Sequence, residues 1–202
     1  MPLDASSGDR RHDGRSRAFV LATRALALAA VLLGSRVAAA GELSGDMSVD
    51  GFASTWRGDL GAGGRLRLGY RFAHIVSVDA GGWEHYATVN KRLNTGLTLG
   101  VSAYLPLTTV RPMLRLYFVH QHEESLVSVA DHPLGTLAGL GAGIRHRAGL
   151  GSDVGVEVPI LATPWGDYHV TAATSFTWIP DTALGPALYY GVNLGFGLNY
   201  SL

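Results

Sequence analysis

The side chains best suited to chemistry lie together in the stretch FVHQHEES, Phe118 to Ser125. His120 and His122 are two residues apart, so on a strand both imidazoles project on one face, as a ligand pair for zinc or copper would. Glu123, Glu124 or His132 could supply a third ligand. The same octapeptide holds the residue types of a hydrolytic constellation, with Ser125 as nucleophile, His122 as base and Glu123 or Glu124 as the orienting acid. Two histidines do not close a tetrahedral site by themselves. The plainer reading is a polar band that ends a strand at a membrane rim. A second stretch, GIRHRAGLG (Gly143–Gly151), puts Arg145 and Arg147 on one face and His146 on the other. It reads as an anion contact, with His146 reaching a lipopolysaccharide phosphate, or as a structural charge network closed by Asp153 and Glu157. The chain has no cysteine, which excludes thiolate chemistry and disulfides. Its G-x-G runs follow strand alternation and open no helix, so no phosphate-cradling loop and no cofactor are expected.

These residues must be positioned by strands, because period-two alternation recurs along the chain. Leu66, Leu68, Tyr70 and Phe72 alternate with Arg65, Arg67, Gly69 and Arg71. The pattern returns over 76–80, 97–105, 114–119, 140–145, 154–160, 170–178 and 190–202. Turn signals fill the gaps, among them Ala73-His74, Pro106-Leu107-Thr108-Thr109 and Gly149-Leu150-Gly151-Ser152. These segments give eight strands. Asp46–Trp56 would be a further one, and ten strands is the alternative, since an even number is expected of a transmembrane barrel.

The two faces of these strands differ in kind. One is apolar over seven or eight positions; the other carries Gly100, Gly141, Gly143, Gly155, Gly191, Gly195, Gly197 and a few charges. A soluble sandwich or lipocalin-like barrel would show Lys, Glu, Thr and Gln on its solvent face. An apolar face against lipid and a narrow lumen for the rest describe an antiparallel, up-and-down transmembrane β-barrel better. Luminal charges then need partners, and the spacing pairs Arg71 with Asp79 across one hairpin and Arg145 with Glu157 across the 149–152 turn, with Arg147 beside them. Aromatic residues such as Trp83, Tyr86, Tyr104, Trp178 and Tyr200 fall near strand ends, as interfacial girdles do.

The first forty residues read as a secretory signal peptide. Arg10, Arg11, Arg15 and Arg17 precede the apolar core Ala25–Leu33, and Ala38-Ala39-Ala40 supplies a small-residue cleavage site. Residues 41–202 would be the mature barrel domain. They hold ten Lys+Arg against 13 Asp+Glu, a balance that speaks against nucleic acid as a partner. No run of 18 apolar residues follows Gly41, so no transmembrane helix is expected.

LGYRF (Leu68–Phe72), GLTLGVSAYLPLTTVRPMLRLYF (Gly96–Phe118) and the terminal LGFGLNYSL resemble small bacterial outer-membrane β-barrels of the OmpA/OmpX kind. The resemblance implies an outer-membrane location, outer-membrane lipid as surroundings, and an insertion machinery that reads the C-terminal strand. This chain ends on Leu202 with Tyr200 two positions earlier, where the family ends on an aromatic residue. The His-x-Ser-Asn signature of outer-membrane lipid A deacylases is absent, since Glu-Glu-Ser follows His122. The expected role is therefore non-enzymatic: envelope structure, surface loops or passage of small apolar solutes. The alternative is a membrane-embedded lipid hydrolase or metal-binding barrel built on His120, His122, Glu123 and Glu124.

Overall fold

The computed structural model describes residues 41–55, 58–131, 135, 139–140, 144–180 and 185–202. The proposed leader, Trp56 and His132 lie outside them. Eight strands run in chain order: β1 (Gly41–Ser54), β2 (Leu60–Phe72), β3 (Val76–Ala87), β4 (Arg92–Tyr104), β5 (Arg111–Ser125), β6 (Arg145–Thr163), β7 (Gly166–Ile179) and β8 (Ala187–Ser201). A short helix, α1 (Leu126–Asp131), follows β5. Each strand pairs antiparallel with the next, and β8 returns to β1, where Leu43 faces Tyr200 and Met47 faces Phe196. The sheet has no free edge, which is what lipid demands of a strand-built span.

The strand number is as expected, but the membership differs. Residues 149–152 are not a turn. They lie within β6, which is 19 residues long and takes in 154–160 together with Arg145, the last residue of the segment read as its hairpin partner; Leu140 and Ile144 belong to no strand, and Gly141 and Gly143 lie outside the described residues. The glycines of 149–152 serve packing: a Cβ on Gly151 would enter the ring of Tyr117, which faces it from β5. β1 makes up the number. Its outward row is broken by Gly45 and Gly51, so only Leu43, Met47, Val49 and Ala53 mark it as lipid-facing. With these two changes the longest connection, 126–144, lies opposite the chain termini, beside the connections 55–59, 88–91 and 180–186. The short turns 73–75 and 164–165 and the connection 105–110 share the end of the termini. Ala73 (φ 46°) and His74 (φ 60°) are both left-handed, and Ile75 N–H donates to the Phe72 carbonyl at 3.0 Å. That is the primed turn whose twist matches the flanking strands.

The outer wall is apolar. Val49, Leu99, Leu116 and Leu194 are each about 60% exposed or more, and Leu68, Val101, Leu114, Leu150, Val154 and Val192 accompany them. A band of large apolar side chains around a whole barrel has no place in water and is what a bilayer core takes. Aromatic residues bound the band. Trp165 meets Tyr168 edge-on and Tyr200 at a tilt at the end that holds Gly41 and Leu202, and Phe176 meets Tyr190 edge-on toward the other. Trp83 and Tyr104 are not part of a girdle. Both point inward and are buried.

Inside, bulky rings and glycines match across strands. Trp83 faces Gly96, Tyr117 faces Gly151, His169 faces Gly197 and Phe52 faces Gly61, and in each pair a Cβ on the glycine would meet the ring. These four luminal glycines thus mark where a neighbour's ring takes up the lumen. Gly151→Val should destabilise the barrel by about 1–3 kcal/mol through overpacking. Adding Tyr117→Ala should recover part of that loss, as read from urea unfolding in detergent.

Candidate functional site

β5 crosses the wall from Arg111 to Ser125, and its alternation sends Gln121 and Glu123 inward and His120, His122 and Glu124 outward. Register then decides what meets the histidines. His122 lies directly opposite His146 of β6 and Thr95 of β4. His120, His122 and His146 come together on the outer wall, with ring centroids 4.7 Å (120–122), 4.7 Å (122–146) and 5.5 Å (120–146) apart. One nitrogen from each lies within 4.8 Å of the others. His146 Nδ1 and His120 Nε2 are 3.3 Å apart. His122 is only 3% exposed, and Gly139 lies over it: a Cβ there would run into its ring. Its Nδ1 is buried and has no hydrogen-bond partner among the described residues.

Glu123 does not join this group. It faces the lumen, where it accepts from Arg147 at 2.8 Å and lies 3.8 Å from Arg145. Glu124 is outward and fully buried; the Thr95 hydroxyl, which donates to Glu84 at 2.8 Å, sits 3.3 Å from it. Ser125 caps α1, its hydroxyl accepting from the Ser128 N–H at 3.2 Å, the usual role of serine at a helix start. Among the described residues no hydrogen bond links Ser125 to His122, so the hydrolytic constellation is not assembled. The signal for His146 was its outward parity; only the β5–β6 register places it beside His122.

The charged residues fill the lumen, with partners other than those adjacent in sequence. Arg71 forms a two-pronged pair with Glu157 (3.1 and 2.6 Å) and covers the Tyr104 ring at 3.8 Å. Arg111 joins Glu157 to Asp167 at 2.7 and 2.9 Å. Asp79, expected beside Arg71, instead accepts from Arg115 at 2.8 Å and from Ser102 at 2.9 Å. Arg115 and Arg65 converge on Asp153 at 3.3 and 3.0 Å. Arg67 and His169 share Asp46 at 2.8 and 2.9 Å. Arg145 pairs with Glu123, not with Glu157, because no turn separates 145 from 157: eleven residues of one extended strand lie between them. The expectation for Arg71 and Asp79 fails because the lumen is narrow enough for arginine to reach across it: Arg71 of β2 takes Glu157 of β6, and Arg115 of β5 takes Asp79 of β3. Cavities between these groups measure about 30, 20 and 10 Å³, room for a water or two each.

Removing one partner from a buried pair leaves an uncompensated charge. Glu157→Ala removes the close partner of buried Arg71, leaves Arg111 with Asp167 alone, and should cost about 3–5 kcal/mol in urea unfolding. Arg145→Ala, at the more exposed rim, should cost under about 1 kcal/mol in the same measurement.

No family model matches the sequence. No curated protein matches it either. Among solved structures, the chain is similar to Neisserial surface protein A (NspA), at 17% identity over 80% of this chain and 97% of that one, with a TM-score of 0.53. Ail, the attachment invasion locus protein of Yersinia pestis, aligns at 12% identity over 80% of this chain and 99% of that one, with a TM-score of 0.45. OprG from Pseudomonas aeruginosa aligns at 12% identity over 81% and 96%, with a TM-score of 0.43. The fold this chain shares with NspA is that of the small, eight-stranded outer-membrane β-barrel.

Proposed function

We propose that this protein is an integral barrel of the bacterial outer membrane with a non-enzymatic role, acting through its wall and its connections and not through its bore. The observation that carries the reading is the content of the lumen. Arginine–carboxylate pairs fill it at several levels, Arg71–Glu157 and Arg65–Asp153 crossing from β2 to β6 and Asp46–Arg67 and Glu123–Arg147 joining neighbouring strands, and cavities among them, as lined by the described residues, measure about 30, 20 and 10 Å³. A tube filled this way is a core. General porin activity is therefore not its work, and any passage of small apolar solutes would run along the wall.

Export fits the same reading. A leader cleaved after Ala40, with Gly41 as the first mature residue, belongs to the same proposal. The C-terminal strand supplies the seam of the barrel, pairing with both β1 and β7, so an insertion machinery that captures β8 would hold the strand on which closure depends. Its lipid row, Val192, Leu194, Phe196, Leu198 and Tyr200, is the signal available to such a machinery. The expected surroundings are outer-membrane lipid.

The purified barrel, inserted in planar bilayers, should give no steady conductance steps, and vesicles carrying it should not swell in small sugars. Open-channel steps from the folded protein would refute the reading. Folding is checked on the same sample by gel mobility, which should shift only on boiling.

A further inference from the structure

We propose that His120, His122 and His146 form a binding site for a divalent transition-metal ion of the zinc type, on the outer wall at the end of the barrel opposite the termini. The inference rests on side-chain geometry and is independent of the role proposed above. Three features point to a ligand.

The first is the spacing. A tetrahedral zinc with Zn–N bonds of about 2.0–2.1 Å sets its nitrogens about 3.3 Å apart. His146 Nδ1 and His120 Nε2 are separated by 3.3 Å, which is long for a hydrogen bond between imidazoles and matches that tetrahedral edge. One nitrogen of each of the three rings already lies within 4.8 Å of the others, so modest side-chain rotation closes the set.

The second is the buried, unpartnered nitrogen. His122 is 3% exposed, and its Nδ1 has no hydrogen-bond partner among the described residues. A buried polar atom without a partner is costly, and a metal is one of the few ligands that would repay it. The third is the cover. Gly139 sits so close over the His122 ring that a side chain there would collide with it; glycine is the residue that lets the connection lie on the histidine.

Chemistry favours a nitrogen-seeking ion. Three imidazoles with no carboxylate among them suit zinc, copper or nickel and not calcium or magnesium. Three protein ligands leave one coordination position open. A second group, Glu157, Asp167 and His169, carries no such proposal, because Arg71 and Arg111 already neutralise its carboxylates. A metal on the three histidines would clamp β5 to β6 where the longest connection leaves the wall.

The test is zinc titration of the untagged protein in detergent by calorimetry, with cobalt(II) absorption as a second readout. One zinc per chain is expected, together with the visible bands of tetrahedral, nitrogen-ligated cobalt. His120→Ala, His122→Ala and His146→Ala should each weaken binding about tenfold or more, and magnesium should not compete. His74→Ala, at the opposite end, should leave binding unchanged. His146 is exposed, so its variant keeps the test intact if His122→Ala does not fold. Zinc affinity unchanged in His146→Ala, stoichiometry of one zinc per two chains, or no binding above that of the triple variant would each overturn the proposal.

Discussion

Charge neutralisation inside a tube with no room for bulk water is the condition on which this barrel rests. Lipid on the outside forces the sheet to close, because a free strand edge would leave backbone groups without partners. Closing eight strands leaves a lumen only side chains wide. Every charge placed there is desolvated and needs an opposite charge within reach. Two arginines meet this demand by spanning the bore, Arg71 of β2 holding Glu157 of β6 and Arg65 of β2 holding Asp153 of β6, while Arg67 and Arg147 bind Asp46 and Glu123 on the neighbouring strands. The β2–β6 pairs tie opposite walls together, so the lumen acts as the protein's core although little of it is apolar.

The rings and glycines follow from the same confinement. Space taken by Trp83, Tyr117, Phe52 and His169 must be yielded by the strand beside each, and glycine at positions 96, 151, 61 and 197 yields it. Arginine then lies over these rings, Arg115 over Tyr117 at 4.5 Å and Arg65 over Trp83 at 5.4 Å, so packing and charge pairing are one arrangement. With the bore occupied in this way, what remains free to meet other molecules is the apolar wall and the loop-side rim, where three histidines and a buried Glu124 gather.

Much of this was legible in the sequence. Alternation gave the lipid and lumen faces of β2, β4, β7 and β8 residue by residue, because a barrel strand writes its two environments at period two. β6 differs from the sequence reading because Gly149 and Gly151 look like a turn until the neighbours that need their space are seen, Ile179 beside Gly149 and the Tyr117 ring beside Gly151. β1 was left in doubt because Gly45 and Gly51 interrupt its apolar row. Parity told which side Arg71, Asp79, Arg145, Arg147 and Glu157 occupy. It could not tell their partners, since pairing across a closed tube depends on curvature and register. The same limit hid the third histidine: His146 was read as outward, but its place beside His122 follows from the β5–β6 register alone.

The central claim is that the two faces of the sheet meet lipid and a sealed, charged lumen respectively. Two single-tryptophan variants, one keeping Trp178 on the wall and one keeping Trp83 in the lumen, test it by fluorescence in vesicles of brominated phospholipid. Strong quenching of Trp178 by the lipid is predicted, with Trp83 largely protected both from the lipid and from aqueous acrylamide. Equal quenching of both tryptophans by the lipid, or ready access of acrylamide to Trp83, would contradict it.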